Sequence, residues 1–391
     1  MKQPLIFAAA LCGCLFAAMA QAKQGPGFTF AGGHGTMNIG VGIGAFWESN
    51  ARDTAKNEKS GAGWMLTPHL SLGYDTKHTN LGVNAFYTMQ RGFDSKNAQD
   101  RDSYGVNLSL RQELSPRWNL SLGAAYSRSE DDNFYDFGGA LPSIDKTKSE
   151  HYNANAALGY RSNKWQASFG LGWNRTKQLT GLKNETDSYN ASISGGKAIG
   201  PRAYWNVGLS TTWDDAKRAE NSQGYYLSTG ISGEFSKKST YSVNVGLSFY
   251  DYSGVVDDTA VDPYYSISVA HKFNRTFAGA LSFNSRYESE YDGNAGIYYV
   301  WSHNFNAGLN AQWNSVLSSS LNVAVMYEEH RAAIGADYER TYAQIALGSA
   351  YRFNDYVSLN GSLSYKCDLA NGEGRDDTDD VRASVGLNFV F

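Results

Sequence analysis

Seven histidines, His34, His69, His78, His151, His271, His303 and His330, are the residues of this 391-residue sequence best suited to moving protons. A hydrolytic site would set one of them beside a Ser or an Asp, because the imidazole needs a nucleophile to deprotonate and an acid to orient it. They lie far apart with no recognisable motif around any of them, so no catalytic residue is assigned and the chain is not expected to be an enzyme. The acidic run Asp376-Asp377-Thr378-Asp379-Asp380 offers carboxylate oxygens for calcium but lacks the alternating spacing of a calcium loop. It is expected to be a solvated loop tip, and neither a metal nor a cofactor is expected.

A different chemistry is carried by asparagine. Asn84, Asn107, Asn119, Asn190, Asn206, Asn244, Asn306, Asn310, Asn322 and Asn360 all fall on the polar positions of segments that alternate polar and apolar residues. Amides both donate and accept, so a wall of them exchanges hydrogen bonds with water or sugar hydroxyls without gripping any charge. Arg111, Arg161, Lys272 and Arg352 share the polar positions, each just before a short turn, with Glu113 and Glu234 at similar depth. Structural ion pairs are expected of them rather than a selectivity ring. At the other end Glu48, Arg286, Glu288, Glu328 and Lys366 mix both signs, so no strong ion preference follows. The net charge of -4 gives no basic footprint for nucleic acid.

These side chains need strands to hold them. The chain carries 41 Gly, 9 Trp, 26 Tyr and 19 Phe but only 7 Pro, a mixture that suits strands and disfavours long helices. Tyr104, Val106, Leu108 and Leu110 alternate with Gly105, Asn107, Ser109 and Arg111, and Tyr241, Val243, Val245, Leu247 and Phe249 with Ser242, Asn244, Gly246 and Ser248. Such a period of two marks strands with two unlike faces. Short polar turns near Thr76 to Asn80, Ser115 to Arg117, Ser162 to Lys164, Ile199 to Arg202, Lys237 to Thr240, Asn274 to Arg275, Val316 to Ser319 and Asn354 to Asp355 take turns with longer charged loops. The loops include Ser49 to Ala62, Asp131 to Glu150, Ser253 to Asp262 and Asn371 to Asp380. The expectation is an all-β, antiparallel, up-and-down transmembrane barrel of about eighteen strands, or sixteen if the pair between Tyr291 and Trp301 slips.

The address agrees with this. Lys2, the apolar stretch Leu5 to Met19 and Ala20-Gln21-Ala22 form a signal peptide over residues 1–22, followed by a Gly-rich segment over 23–35 and the barrel over 36–391. A lipoprotein signal ending at Cys14 is the alternative, disfavoured because the apolar run continues through Ala18. Removal of the signal leaves Cys367 as the single cysteine, which excludes an internal disulfide. No later apolar run approaches the ~20 residues of a membrane helix. Aromatics bound the apolar faces at both ends: Trp118, Trp165, Trp205, Tyr241 and Phe277 beside short turns, Trp47, Tyr126, Trp173, Trp213, Tyr287 and Tyr327 beside long loops. They are candidate girdles against outer-membrane lipid. The end of the chain, Ser384-x-Gly386-x-x-Phe389-x-Phe391, resembles the signal read by the barrel-assembly machinery.

The mature chain as a whole resembles a family of outer-membrane β-barrel porins commonly encoded with exopolysaccharide synthesis and export genes. The resemblance is carried by Phe46-Trp47-Glu48-Ser49-Asn50, by Leu66-Thr67-Pro68-His69-Leu70-Ser71-Leu72, and by Leu114-Ser115-Pro116-Arg117-Trp118-Asn119-Leu120-Ser121-Leu122. Glu48-Ser49-Asn50 departs from the aromatic-Asp-x-Asn ending usual in that family. The resemblance implies a pore in the cell outer membrane through which a polysaccharide crosses, with periplasmic export proteins as partners. A general diffusion porin, and a receptor or adhesin anchored by its barrel, are the alternatives.

Overall fold

Each alternating segment of the sequence is a strand. The computed structural model describes residues 27–50, 60–93, 100–129, 148–179, 185–217, 221–253, 258–292, 296–332, 337–371 and 378–391; the expected signal peptide and the middles of the long loops lie outside them. The strands are β1 (Phe28–Phe30), β2 (Gly35–Glu48), β3 (Gly61–Asp75), β4 (Thr79–Gly92), β5 (Arg101–Ser115), β6 (Trp118–Ser129), β7 (Ser149–Arg161), β8 (Trp165–Gln178), β9 (Glu185–Gly200) and β10 (Ala203–Ala216). They continue with β11 (Asn221–Ser236), β12 (Ser239–Ser253), β13 (Asp258–Lys272), β14 (Phe277–Asp292), β15 (Gly296–Gln312), β16 (Leu317–Ala332), β17 (Tyr338–Arg352), β18 (Val357–Asn371) and β19 (Thr378–Val390).

From β2 to β19 every strand pairs antiparallel with the next, and β19 returns to β2 from Val390↔Gly40 to Arg382↔Glu48, so eighteen strands close on themselves. Closure leaves no membrane-exposed edge, which a lipid environment demands. The hairpin β14–β15 pairs without a slip from Phe277↔Ala311 to Asp292↔Gly296, which settles the count at eighteen.

Most short turns follow one local rule. A side-chain oxygen at the first position accepts backbone N–H groups two or three residues on, an Asx- or Ser/Thr-turn. Asn274 Oδ1 accepts from Thr276 and Phe277, Asn314 Oδ1 from Val316 and Leu317, and Asn354 Oδ1 from Tyr356 and Val357. Ser115, Ser162 and Thr76 do the same with Oγ or Oγ1. The turn expected at Val316 to Ser319 therefore opens two residues earlier, at Asn314, and Leu317 already opens β16.

The faces follow from register. Ile39, Ile43 and Trp47 of β2, Phe169 and Leu171 of β8 and Val245 and Leu247 of β12 are exposed on one face. On the opposite face Arg101 of β5 reaches Glu48 of β2 across two intervening strands, a chord that only the concave side of a closed sheet permits. The aliphatic face is thus the convex one. Trp118 and Tyr126, Trp165 and Trp173, and Trp205 and Trp213 are each eight residues apart on it. That is about 27 Å along a strand, or about 20 Å along the barrel axis at a tilt of ~40°. Neighbouring rings touch at both levels: Trp118 and Tyr160 at 5.0 Å near the short turns, Tyr126 and Tyr152 at 4.9 Å near the long connections.

Residues 27–35 run along the wall. β1 pairs with the start of β2, Phe28↔Met37 to Phe30↔Gly35, after a tight turn in which Ala31, Gly32 and Gly33 all take positive φ. Two successive glycines make that turn accessible. At Gly35 a side chain would collide with the Phe30 ring, 2.3 Å from a Cβ there.

Candidate functional site

The interior is the site, and its two halves differ. All ten expected asparagines lie on the concave face, six of them opposite a glycine of the adjacent strand: Asn119↔Gly159, Asn190↔Gly172, Asn206↔Gly196, Asn244↔Gly230, Asn322↔Gly308 and Asn360↔Gly386. The pairing is a steric device. A Cβ on Gly196 would sit 2.3 Å from Asn206 Oδ1, and one on Gly172 2.6 Å from Asn190 Oδ1, so these two amides occupy the space that a missing side chain leaves. Amides laid flat against the wall bond sideways: Gln166 Nε2 donates to Asn206 Oδ1 at 2.6 Å, and Asn206 Nδ2 to Ser232 Oγ at 2.7 Å. Asn84, Asn107 and Asn310 are exposed, whereas Asn244 is buried beside Ser242.

Replacing Gly172 with valine is expected to push the Asn190 amide off the wall and into the interior. Single-channel conductance in a planar bilayer should fall while the heat-modifiable fold is kept. Unchanged conductance would show that Asn190 does not border the conducting path.

The cations near the short turns are placed separately. Arg352 Nη2 donates to the Ser315 carbonyl at 2.8 Å, the Arg161 guanidinium lies 5.9 Å from the centre of the Tyr204 ring, and Arg111 and Lys272 are exposed. Glu113 is engaged by His78 of the neighbouring turn at 3.1 Å rather than by a lumenal arginine.

The opposite end of the interior holds a buried charge network that the sequence reading found only in part. Glu48 Oε1 accepts from Arg101 Nη1 at 3.0 Å and from Arg382 Nη2 at 2.9 Å. Farther round the wall, Arg340 of β17 forms a bidentate pair with Asp368 of β18 and lies over the Tyr342 ring at 4.3 Å, and on β16 Glu328 accepts from His330 at 3.1 Å. Glu48, Arg101, Arg340 and Asp368 are each at most 4% exposed. Paired charges of this kind rigidify the wall, because each partner is fixed by hydrogen bonds it cannot recover from water. Lys366 joins the same level, in register with Asp380. Arg286 and Glu288 stand in β14 opposite Ser302 and Val300 of β15.

Asp380 corrects the reading of the acidic run as a loop tip. It is buried within β19 and accepts from Ser49 Oγ at 3.1 Å and from the Asn50 N–H at 3.0 Å. The strand begins at Thr378, so only Asp376 and Asp377 stay in the connection, outside the described residues. The loop expected over Ser253 to Asp262 is likewise shorter, since β13 starts at Asp258.

At the end of the chain Ser384 and Gly386 lie on the concave face, Ser384 sharing a 2.7 Å hydrogen bond with Ser362. Phe389 pairs with Val41. The Phe391 N–H donates to the Ile39 carbonyl at 2.7 Å, and the Ile39 N–H to the Phe391 carbonyl at 3.1 Å, which completes the seam.

Solved structures similar to this chain are outer-membrane proteins. The outer membrane protein opdK from Pseudomonas aeruginosa is 11% identical with a TM-score of 0.48, over 91% of this chain and 99% of its own. OccAB4 from Acinetobacter baumannii is 12% identical with a TM-score of 0.45, over 91% and 98%. The siderophore receptor PirA from Pseudomonas aeruginosa is 9% identical with a TM-score of 0.43, over 90% and 80%. No curated protein matches the chain. The sequence profile of the family described as "Protein of unknown function, DUF481" matches residues 146–351, from just before β7 through most of β17 and more than half of the chain, and the protein belongs to that family.

Proposed function

We propose that this protein is an outer-membrane channel for hydrated, weakly charged polymers, with exopolysaccharide leaving the cell as its cargo. The observation that carries the reading is the concave wall of amides laid flat against glycines: it presents donors and acceptors to sugar hydroxyls, offers no single deep site, and leaves the bore wide. A closed barrel of eighteen strands is large enough for an aqueous interior, unlike one of about eight. Transport, not catalysis, is the role such a wall suits. Delivery by the signal peptide over 1–22, insertion by the barrel-assembly machinery reading Ser384, Gly386, Phe389 and Phe391, and periplasmic export partners complete the proposal.

Purified protein in a planar bilayer should conduct with weak charge selectivity, and added soluble polysaccharide should reduce the current. Deletion of the gene should deplete surface polysaccharide while its synthesis continues. Absence of both effects would sink the conduit reading. A receptor is the second reading, favoured by the buried charges that cover the wall at one end; it expects no polymer block and an unaltered surface glycan.

A further inference from the structure

One seam of the barrel differs from the others. The ladder between β13 and β14 runs from Lys272↔Ala278 to Ser266↔Asn284 and ends there among the described residues, although β13 pairs with β12 as far as Asp258 and β14 with β15 as far as Asp292. The cause is local. The Tyr265 N–H points at β14, so the N–H two residues away that would carry the ladder on belongs to Pro263, which has none. In its place Ser285 Oγ enters the space between the strands, accepting from the Tyr265 N–H at 3.1 Å and donating to the Pro263 carbonyl at 3.3 Å. Pro68 gives the contrast: it interrupts the β3–β4 ladder between His69↔Phe86 and Leu66↔Met89, with Thr67 and Thr88 hydroxyls 3.2 Å apart across the break, and the ladder resumes.

The interruption lies within the apolar band. Val269 and Val261 of β13 are in register with Tyr241 and Phe249, which are eight residues apart on the convex face of β12, and the break begins between them. Aromatic rings gather on both faces of the wall beside the break, next to Asn284, Asn304 and Asp262 on the concave face. On the convex face Tyr265 lies 4.9 Å from Phe283 and stacks on His303, which in turn contacts Trp301 and Tyr327 and has Glu329 3.9 Å from its Nε2. On the concave face, where asparagine prevails elsewhere, Tyr226 meets Tyr250 and Tyr264, each at 6.0 Å. Val300 and Met326 are buried on the far side of the seam.

We propose that the interrupted seam between β13 and β14 is a lateral opening by which the acyl chain of an outer-leaflet lipid enters the barrel wall, so that the protein binds an acylated amphiphile from the membrane. The rings on the convex face form the mouth, with the imidazole of His303 and the carboxylate of Glu329 beside it. The tyrosines behind it give the chain an apolar surface that the amide wall lacks. Lipid entry here rests on the outer-membrane placement but not on polymer transport.

Two measurements test it. In the full-length protein in outer-membrane vesicles, backbone hydrogen exchange over residues 258–266 should be faster than over 243–251 of the fully laddered β12, and restoring an N–H with Pro263→Val should slow it. A photoreactive p-benzoylphenylalanine at position 264 should form adducts with phosphatidylethanolamine acyl chains in proteoliposomes several-fold more than one at position 190, an excess that Pro263→Val removes. Equal exchange at the two strands in the unaltered protein, or adduct yields at 264 no higher than at 190, overturns the opening. Recovery of the protein outside the outer membrane overturns the membrane placement instead, and vesicle fractionation keeps the two failures apart.

Discussion

Replacing Glu48 with alanine is expected to cost the barrel about 3–5 kcal/mol, the range for removing one partner of a buried ionic group. Glu48 is the acceptor for both Arg101 and Arg382 and is 3% exposed, so its loss removes the carboxylate that two guanidinium groups share. Arg101 reaches it across β3 and β4 and so ties β5 to β2, while Arg382 of β19 ties it across the seam where the barrel closes. The midpoint of heat modification in detergent gels should drop markedly. Glu48→Gln should lose less, because an amide oxygen still accepts from one arginine. A Glu48→Leu, Arg101→Leu double variant should recover part of the loss, since replacing a buried pair by apolar residues is often neutral. A midpoint unchanged in Glu48→Ala would mean that the network contributes nothing to holding the wall.

Deleting Phe391 is expected to lower the amount of assembled barrel several-fold while leaving export to the periplasm intact. The direct structural loss is small: two backbone hydrogen bonds with Ile39, about 0.5–1.5 kcal/mol each, and one aromatic ring at the convex face. Those bonds are nevertheless the last of the β19–β2 seam, and a loss of this size already alters abundance several-fold when a chain is sorted between assembly and degradation. Phe391→Tyr keeps the ring and the backbone bonds and should assemble normally, whereas Phe391→Ala should fall between. Equal levels of heat-modifiable barrel in all variants would show that the terminal Phe is not read during assembly.

Strand and face were legible because period-two alternation is local. Tyr104 to Arg111 and Tyr241 to Phe249 display their two faces without reference to any other residue, and the short turns other than Gly200-Pro201-Arg202 announce themselves by a Ser, Thr or Asn whose side chain caps the backbone. The turn at Asn314 was misplaced because the triplet Ser318-Ser319-Ser320 looks like a loop, while the capping asparagine that decides the matter is four residues upstream. Strand ends at the long connections were harder for a related reason. Charged runs such as Asp100-Arg101-Asp102 and Asp379-Asp380-Val381-Arg382 read as solvent in either conformation, and only pairing across the sheet shows that Arg101, Asp380 and Arg382 point inward. Partners such as Arg101 and Glu48, 53 positions apart, leave no local trace at all. The asparagine wall was visible as a parity, but the glycines opposite six of the amides were not, since they appear only once register assigns pairs such as Asn190 to Gly172 and Asn206 to Gly196. A search for Asn and Gly placed symmetrically about each short turn, as 206 and 196 are about Pro201, would have found some of them.

The regular eight-residue interval between aromatic rings sets a physical length, and length has consequences for where such a wall can rest. A band about 20 Å tall is shorter than the ~30 Å hydrocarbon core of an average bilayer. Inserted there, it would have to thin the lipid around its whole circumference, at a fraction of a kcal/mol for each ångström of hydrophobic mismatch. The bacterial outer membrane is thinner than average and needs less deformation. The spacing of Trp165 and Trp173, and of their counterparts around the barrel, would thereby favour a thin bilayer over an average one, independently of any receptor that reads its ends.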